Sequence, residues 1–255
     1  MNSSILTTVI CAVYKNDPNR YDLLKGHMKN LDLQTTAVHR VYVFEDNDQP
    51  PEWLTGECIV LSRPCTIYEA WNLALSTVRT PYVMNLNLDD RLNTDAVERL
   101  QESLTQEPEK KIVCGDWLVN FTQEETDEVG HCIESASIPS VSTWPPEKTE
   151  LPTKLPAGSR AGGTLGPATM WRSELIIDFP RYPYRTTAGT MLLVEGDRAF
   201  WTAVMLGYGK DSVLRLPIGI GNYYSHPREQ AEFRGKSDPT ELRLDFWKID
   251  EIAIY

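Results

Sequence analysis

From Leu6 to Cys114 the chain alternates short β-branched apolar runs with segments whose apolar residues recur at helical spacing. Few folds accept that order. Leu6 to Tyr14 predicts a strand and Tyr21 to Leu33 a helix. His39 to Phe44, rich in valine and aromatics, predicts the next strand, with a short one near Cys58 to Leu61 and a helix from about Ile67 to Ser76. Tyr82 to Leu86 is strand-like, about Thr94 to Gln106 helical with Asp95 at its positive end, and Ile112 to Cys114 a buried strand. Strands alternating with helices imply a mostly parallel sheet covered on both faces. In such sheets ligands bind beyond the carboxyl ends of the strands. Three predicted strands end there in polar clusters: Tyr14-Lys15-Asn16, Glu45-Asp46-Asn47-Asp48 and Asp89-Asp90-Arg91.

The second half reads differently. From Thr122 to about Gly163 the sequence is acidic, then rich in Pro, Ser, Thr and Gly, which predicts a long excursion or lid rather than core. Regular structure resumes at Gly166 to Trp171, Ala199 to Leu206 is apolar at helical spacing, and a tail follows Gly221. No repeat or linker splits the chain, so we expect one domain over residues 1–255, whose halves, 1–121 and 122–255, differ in pattern.

Charge narrows the partners. A net charge of −11 argues against nucleic acid, which needs a basic footprint. A phosphorylated small ligand stays admissible, because a metal ion and a few local cations can invert the field inside one site. No apolar run approaches the roughly 20 residues that span a bilayer, and the start lacks the pattern of a signal peptide. The expectation is a cytoplasmic protein without an integral membrane segment. Cys11, Cys58, Cys65, Cys114 and Cys132 have no C-x-x-C spacing, so neither a disulfide framework nor a zinc site is indicated.

Adjacent acids at a strand end, Asn87-Leu88-Asp89-Asp90, are suited to a hard cation, although such pairs more often begin turns or cap helices. Their surroundings are more specific. Tyr68-Glu69-Ala70-Trp71-Asn72-Leu73-Ala74 followed by Thr80 to Arg91 resembles the centre of family 2 glycosyltransferases of the GT-A fold, where an A-R-N helix precedes a strand ending in a D-x-D-D-like motif. Thr8 to Asn16 is similar to that family's opening V-I-I-P-V-Y-N, and Val41 to Asp48 to its V-V-D-D-G-S. Met170-Trp171-Arg172-Ser173, then Glu195-Gly196-Asp197-Arg198-Ala199-Phe200-Trp201, is similar to W-R-R-S … G-D-x-x-F-W. The resemblance spans about residues 6 to 209.

The resemblance implies a GT-A (Rossmann-like) α/β fold and an inverting transfer of sugar from a nucleotide-diphosphate sugar donor to a glycan or glycoconjugate acceptor, assisted by Mn²⁺ or Mg²⁺. It assigns Ala12 and Tyr14 to the nucleoside, Glu45 or Asp46 to the base, Asp89 to the ribose and Asp90 to the metal. Asp197 falls on the catalytic acid, the general base for the acceptor hydroxyl, with Glu195 as runner-up; the alternative for Asp197 is a helix cap. His226, in the C-terminal part of the chain, is the further metal ligand the resemblance suggests, against a surface histidine before Pro227. Trp144 is the candidate acceptor platform, while Trp71, Trp117, Trp171 and Trp201 read as packing residues.

Departures from the pattern bear on the site. Trp71 replaces the common Arg, and Arg63, Arg91, Arg228, Arg234 or Lys236 could supply the cation facing the diphosphate instead. Asn87 replaces the first Asp of the motif, and Gly196 stands where Glu is common, although Gly-Asp also occurs there. Two other classes compete: a metal-dependent nucleotidyltransferase, against which the glycine-free Tyr14-Lys15-Asn16-Asp17 counts, and a non-catalytic nucleotide- or sugar-binding module.

Overall fold

The computed structural model describes residues 5–134, 160–162, 169–185, 189, 191, 192 and 196–224. The first half follows the expected alternation: β1 (Thr7–Val13), α1 (Arg20–Asp32), β2 (His39–Phe44), β3 (Glu57–Val60), α2 (Ile67–Leu75), β4 (Tyr82–Asn85), β5 (Arg91–Leu92), α3 (Ala96–Gln106) and β6 (Ile112–Asn120). Then come α4 (Gln123–Asp127), β7 (Ile133–Glu134), β8 (Arg160–Gly162), β9 (Thr169–Arg172), α5 (Leu175–Asp178), α6 (Gly196–Tyr208) and β10 (Val213–Tyr224).

Among the described residues these strands form one sheet of order β3-β2-β1-β4-β9-β6-β10-β5, with β7 on β10 and β8 on β6. The pairs β2–β3, β1–β2, β1–β4 and β6–β10 are parallel. Strand β9 runs antiparallel between β4 and β6, so β6 and β10 point the same way as β1 to β4. Six strands therefore share one direction, and the carboxyl ends of β1, β2 and β4 meet at one edge. The expected mostly parallel α/β sheet flanked by helices is what the chain forms.

Period-two alternation assigns the strand residues to two faces. Ile10, Val41, Val43, Val83 and Cys114 face the layer made by α2 and α6, where Trp71, Trp171, Phe200 and Trp201 are all buried. Val9, Met84, Val113 and Met170 face α3. Cys11, Val13, Tyr42 and Phe44 cover Leu24 of α1. Helix α2 starts where it does because Thr66 and Glu69 form a reciprocal capping box.

Several boundaries differ from the sequence expectation. Helix α3 begins at Ala96, later than expected, with Asp95 at its N-terminal end as expected; the Asp95 carboxylate makes no capping hydrogen bond but accepts from the Cys132 N–H at 2.7 Å and pairs with Arg99. Strand β6 runs six residues beyond Cys114, because Asp116 is neutralised inside the sheet by Arg215 of β10 at 2.7 and 2.9 Å. The supposed excursion after Thr122 contributes α4, β7 and β8 to the sheet region, with Thr126 fully buried. Residues 135–159, including Trp144, lie outside the described residues. Among the described residues no helix is long and apolar enough to cross a membrane.

Candidate donor and catalytic site

The three polar strand ends arrive together, and each is fixed differently. Tyr14 follows β1 with its ring 58% exposed, the only large aromatic at this edge that the fold leaves so open among the described residues. Ala12, one turn of the pleat earlier, is half-buried on the α2 face of β1.

Glu45 is 4% exposed and both its oxygens are committed to backbone. It accepts from the Lys15 N–H at 3.2 Å and the Cys65 N–H at 2.9 Å, tying the segments after β1 and β3 to the end of β2. Asp46 is more open, and its carboxylate meets Lys15 Nζ at 2.8 Å. Asp46 and Asn47 hold positive φ angles of 49° and 57°, conformations that Asp and Asn tolerate better than bulkier residues. Of the two residues expected to read the base, Asp46 is therefore the one placed toward solvent. Asp48, buried, pairs with Arg20 at 2.9 Å.

Beyond β4 the two aspartates have opposite environments. Asp90 is 1% exposed, and its Oδ1 accepts from the Tyr224 N–H of β10 at 3.1 Å. Asp89 is partly exposed. The accessible carboxylate is thus the one the sequence assigned to the ribose, while the expected metal ligand is the more enclosed. Arg91 departs further from expectation. It is 3% exposed, its Nη1 donates to the Leu88 and Asp90 carbonyls at 2.6 and 2.7 Å, and its Nε pairs with Asp127 at 2.7 Å. The glycine at 26 gives it room, because a Cβ there would overlap the guanidinium. Arg91 thus holds the turn together from a buried position, whereas the sequence expected it at the diphosphate.

Arg63, on the segment after β3, remains exposed and pairs with Glu69 at 3.0 Å; that carboxylate raises its pKa further. Trp71, standing where the pattern has Arg, is buried edge-on between Tyr68 and Tyr182 at ring-centroid distances of 5.5 and 5.1 Å. Its loss of charge is a gain for the core.

Asp197 occupies the first turn of α6, as expected, and Tyr68 of α2 donates to its Oδ1 at 3.4 Å. Tyr182 joins this helix to the strand-end cluster. Its hydroxyl donates to Asn85 Oδ1 at 3.3 Å, and its own pKa lies well above the ordinary value, through burial first and the nearby Asp197 charge second. Sequence reading missed Asn72 as a structural clamp. Its side-chain amide donates to the Tyr182 carbonyl at 2.8 Å and accepts from the Tyr182 N–H at 2.6 Å, fixing the segment that leads towards α6. Glu195, His226, Arg228, Arg234 and Lys236 lie outside the described residues.

Carboxylate oxygens suit Mn²⁺ or Mg²⁺, and Mg²⁺ is commonly held by one or two carboxylates plus substrate phosphates. Among the described residues no group of three or more His, Cys, Asp or Glu is gathered as a metal cage. Asp89 and Asp90, adjacent carboxylates after β4, are the described residues at this edge whose chemistry suits such an ion.

No protein-family model matches the chain, and no curated protein does. Solved structures do. The crystal structure of S. aureus TarS 1-349 superposes with a TM-score of 0.57 at 15% identity, over 90% of this chain and 63% of that one. Its complex with UDP-GlcNAc gives 0.57 at 15% identity, over 90% and 60%, and its complex with UDP 0.54 at 16%, over 90% and 63%. This chain thus spans less than two thirds of the structures it matches. At such identity the likeness speaks for architecture, and the mostly parallel sheet with its flanking helices is a GT-A-like glycosyltransferase fold.

Proposed function

We propose that this chain is an inverting glycosyltransferase that moves a sugar from a nucleotide-diphosphate donor to a glycan or glycoconjugate acceptor. One observation carries the reading: Tyr182 donates to Asn85, four residues before Asp89, and packs against Phe200 and Trp201 of the helix whose first turn holds Asp197, which supports reading the strand-end acids and the α6 acid as one site. The crystal complexes of S. aureus TarS with UDP and UDP-GlcNAc, on a similar fold, make a UDP-sugar the first donor to test.

In this reading the exposed Tyr14 ring covers the nucleoside beside Ala12, and Asp46 accepts from the base. A bound Mn²⁺ or Mg²⁺ supplies charge neutralisation for the departing diphosphate. Asp89 is the carboxylate that reaches the ion, with Asp90 behind it, anchored on Tyr224. Arg63 is the exposed cation that compensates for Trp71. Asp197 takes the acceptor's hydroxyl proton as that oxygen forms its bond to the anomeric carbon. The bond from that carbon to the diphosphate oxygen breaks with its electron pair leaving on the diphosphate. No covalent sugar–protein intermediate is needed.

Incubation with a panel of nucleotide sugars, with Mn²⁺ or with chelator, and measurement of released nucleotide tests the proposal. Metal-dependent release of nucleoside diphosphate from one donor, lost in Asp89→Ala, is the expected result. Failure of every nucleotide diphosphate to bind under any metal condition refutes it. Release of sugar 1-phosphate rather than nucleoside diphosphate, meaning cleavage at the nucleotidyl phosphorus, points to nucleotidyl transfer instead.

A further inference from the structure

Trp71, which departs from the family-like pattern, and Gly196, which opens α6, meet on a third residue, Tyr68. Gly196 opens α6 directly against the ring of Tyr68. A Cβ at Gly196 would lie 2.7 and 2.8 Å from Tyr68 Cδ2 and Cε2 and would overlap the Pro183 carbonyl oxygen. On the same helix as Tyr68, Trp71 packs edge-on against its ring with centroids 5.5 Å apart and planes at 76°. Tyr68 is 4% exposed, so the ring is held on several sides. Its one polar atom emerges at the first turn of α6, where it donates to Asp197 Oδ1.

We propose that Tyr68 is a positioning residue for Asp197, and that Trp71 and Gly196 form the seat that aims its hydroxyl. The proposal rests on the reading of Asp197 as the base. A carboxylate on a first helical turn can rotate about two side-chain bonds, and only a narrow range aligns it with an acceptor hydroxyl. A donor fixed to α2, itself packed on β1 and β2, removes that freedom by coupling the carboxylate to the sheet. The 3.4 Å separation is long for a hydroxyl–carboxylate bond, and such contacts commonly shorten once substrate closes the site. Trp71, where the pattern has Arg, gives the ring a wall in place of a charge, and the missing Cβ of Gly196 leaves the space the ring occupies. Both residues serve the same hydroxyl.

The test is Tyr68→Phe, which keeps the ring and removes only the oxygen. We expect kcat to fall about tenfold with the KM values for donor and acceptor within about twofold of the parent and an unchanged thermal midpoint. Because the hydroxyl acts through Asp197, Tyr68→Phe added to Asp197→Asn should cost nothing more in single-turnover rate. A Tyr68→Phe enzyme with parental kcat overturns the positioning role, as does an equal loss in the Asp197→Asn background. If Asp197→Asn itself turns over at the parental rate, the base is elsewhere and the reading beneath the proposal fails with it. A slow Asp197→Asn beside a parental Tyr68→Phe fails the proposal alone.

Discussion

Asp90 and Tyr224, 134 residues apart in sequence, share a hydrogen bond in which the Tyr224 N–H donates to Asp90 Oδ1 at 3.1 Å. It closes the sheet's carboxyl edge by joining the turn after β4 to the last residue of β10. Hydrogen bonds to an ionised group contribute more than neutral ones, and this one is shielded from water. Asp90→Ala should therefore lower unfolding stability by about 1–3 kcal/mol, read as a reduced urea midpoint. An unchanged midpoint would mean that the bond contributes nothing to the fold.

Glu45 supports a second prediction. Its two oxygens receive the Lys15 and Cys65 N–H groups, so truncation strands two backbone donors at the donor edge. Glu45→Ala should cost on the order of 3 kcal/mol. Glu45→Gln keeps one acceptor oxygen and should cost less than half of that. If Glu45 instead read the base, both variants would lose nucleotide affinity while keeping parental stability; calorimetric titration with UDP beside a denaturant curve separates the outcomes.

The parallel half of the sheet was legible because its strands carry short β-branched or aromatic apolar stretches, residues 9–13 and 41–44 above all. The other half hides its regularity. Asp116 looks like the end of a strand until Arg215, nearly one hundred residues later, is seen to neutralise it. Pro217, Gly219 and Gly221 interrupt β10, whose last residues, beyond Gly221, read as the start of a tail, and its pairing with β6 shifts register at Gly219. Strand β5 is two residues long, and its Leu92 is held by a side chain, Asn30, whose amide donates to the Leu92 carbonyl and accepts its N–H. In the site, motif spacing located Asp89, Asp90 and Asp197 along the chain. It was silent on burial, and burial is what separates Asp46 from Glu45 and turns Arg91 inward.

His27 of α1 gives a pH-dependent prediction. Its ring is buried, with Nδ1 3.2 Å from the Tyr42 hydroxyl, and burial foremost, then the Arg91 charge, holds its pKa at about 3. Unfolded, the same ring titrates near the usual 6.5. Between those values the unfolded chain binds the extra proton, so stability is full above about 6.5 and falls as pH drops toward 3. The slope from this group approaches about 1.4 kcal/mol per pH unit. His27→Gln should be less stable than the parent at neutral pH but lose less between pH 6.5 and 5, a window above most carboxylate titration. Parallel stability curves for the two proteins over that window would assign the proton uptake elsewhere.

The last prediction concerns how Asp89 and Asp90 divide their work. A carboxylate that would hold an ion beside an incoming diphosphate needs access to solvent, and Asp89 is partly exposed where Asp90 is 1% exposed. Removing charge from an anchored, enclosed carboxylate weakens the fold first; removing it from an open one weakens the ion first. Asp89→Asn should then abolish Mn²⁺-dependent tightening of UDP binding, with a loss of about tenfold or more in affinity and a thermal midpoint within a degree or so of the parent. Asp90→Asn should lower the midpoint by about 4 °C or less, since its amide oxygen can still accept from Tyr224, and should keep part of the Mn²⁺ effect. Titrating UDP into each variant with Mn²⁺ and with chelator distinguishes them. If Asp90→Asn loses the Mn²⁺ effect while Asp89→Asn keeps it, the ion sits on the enclosed carboxylate, the order the sequence alone suggested, and ligand entry must open the turn that Arg91 holds against Leu88 and Asp127.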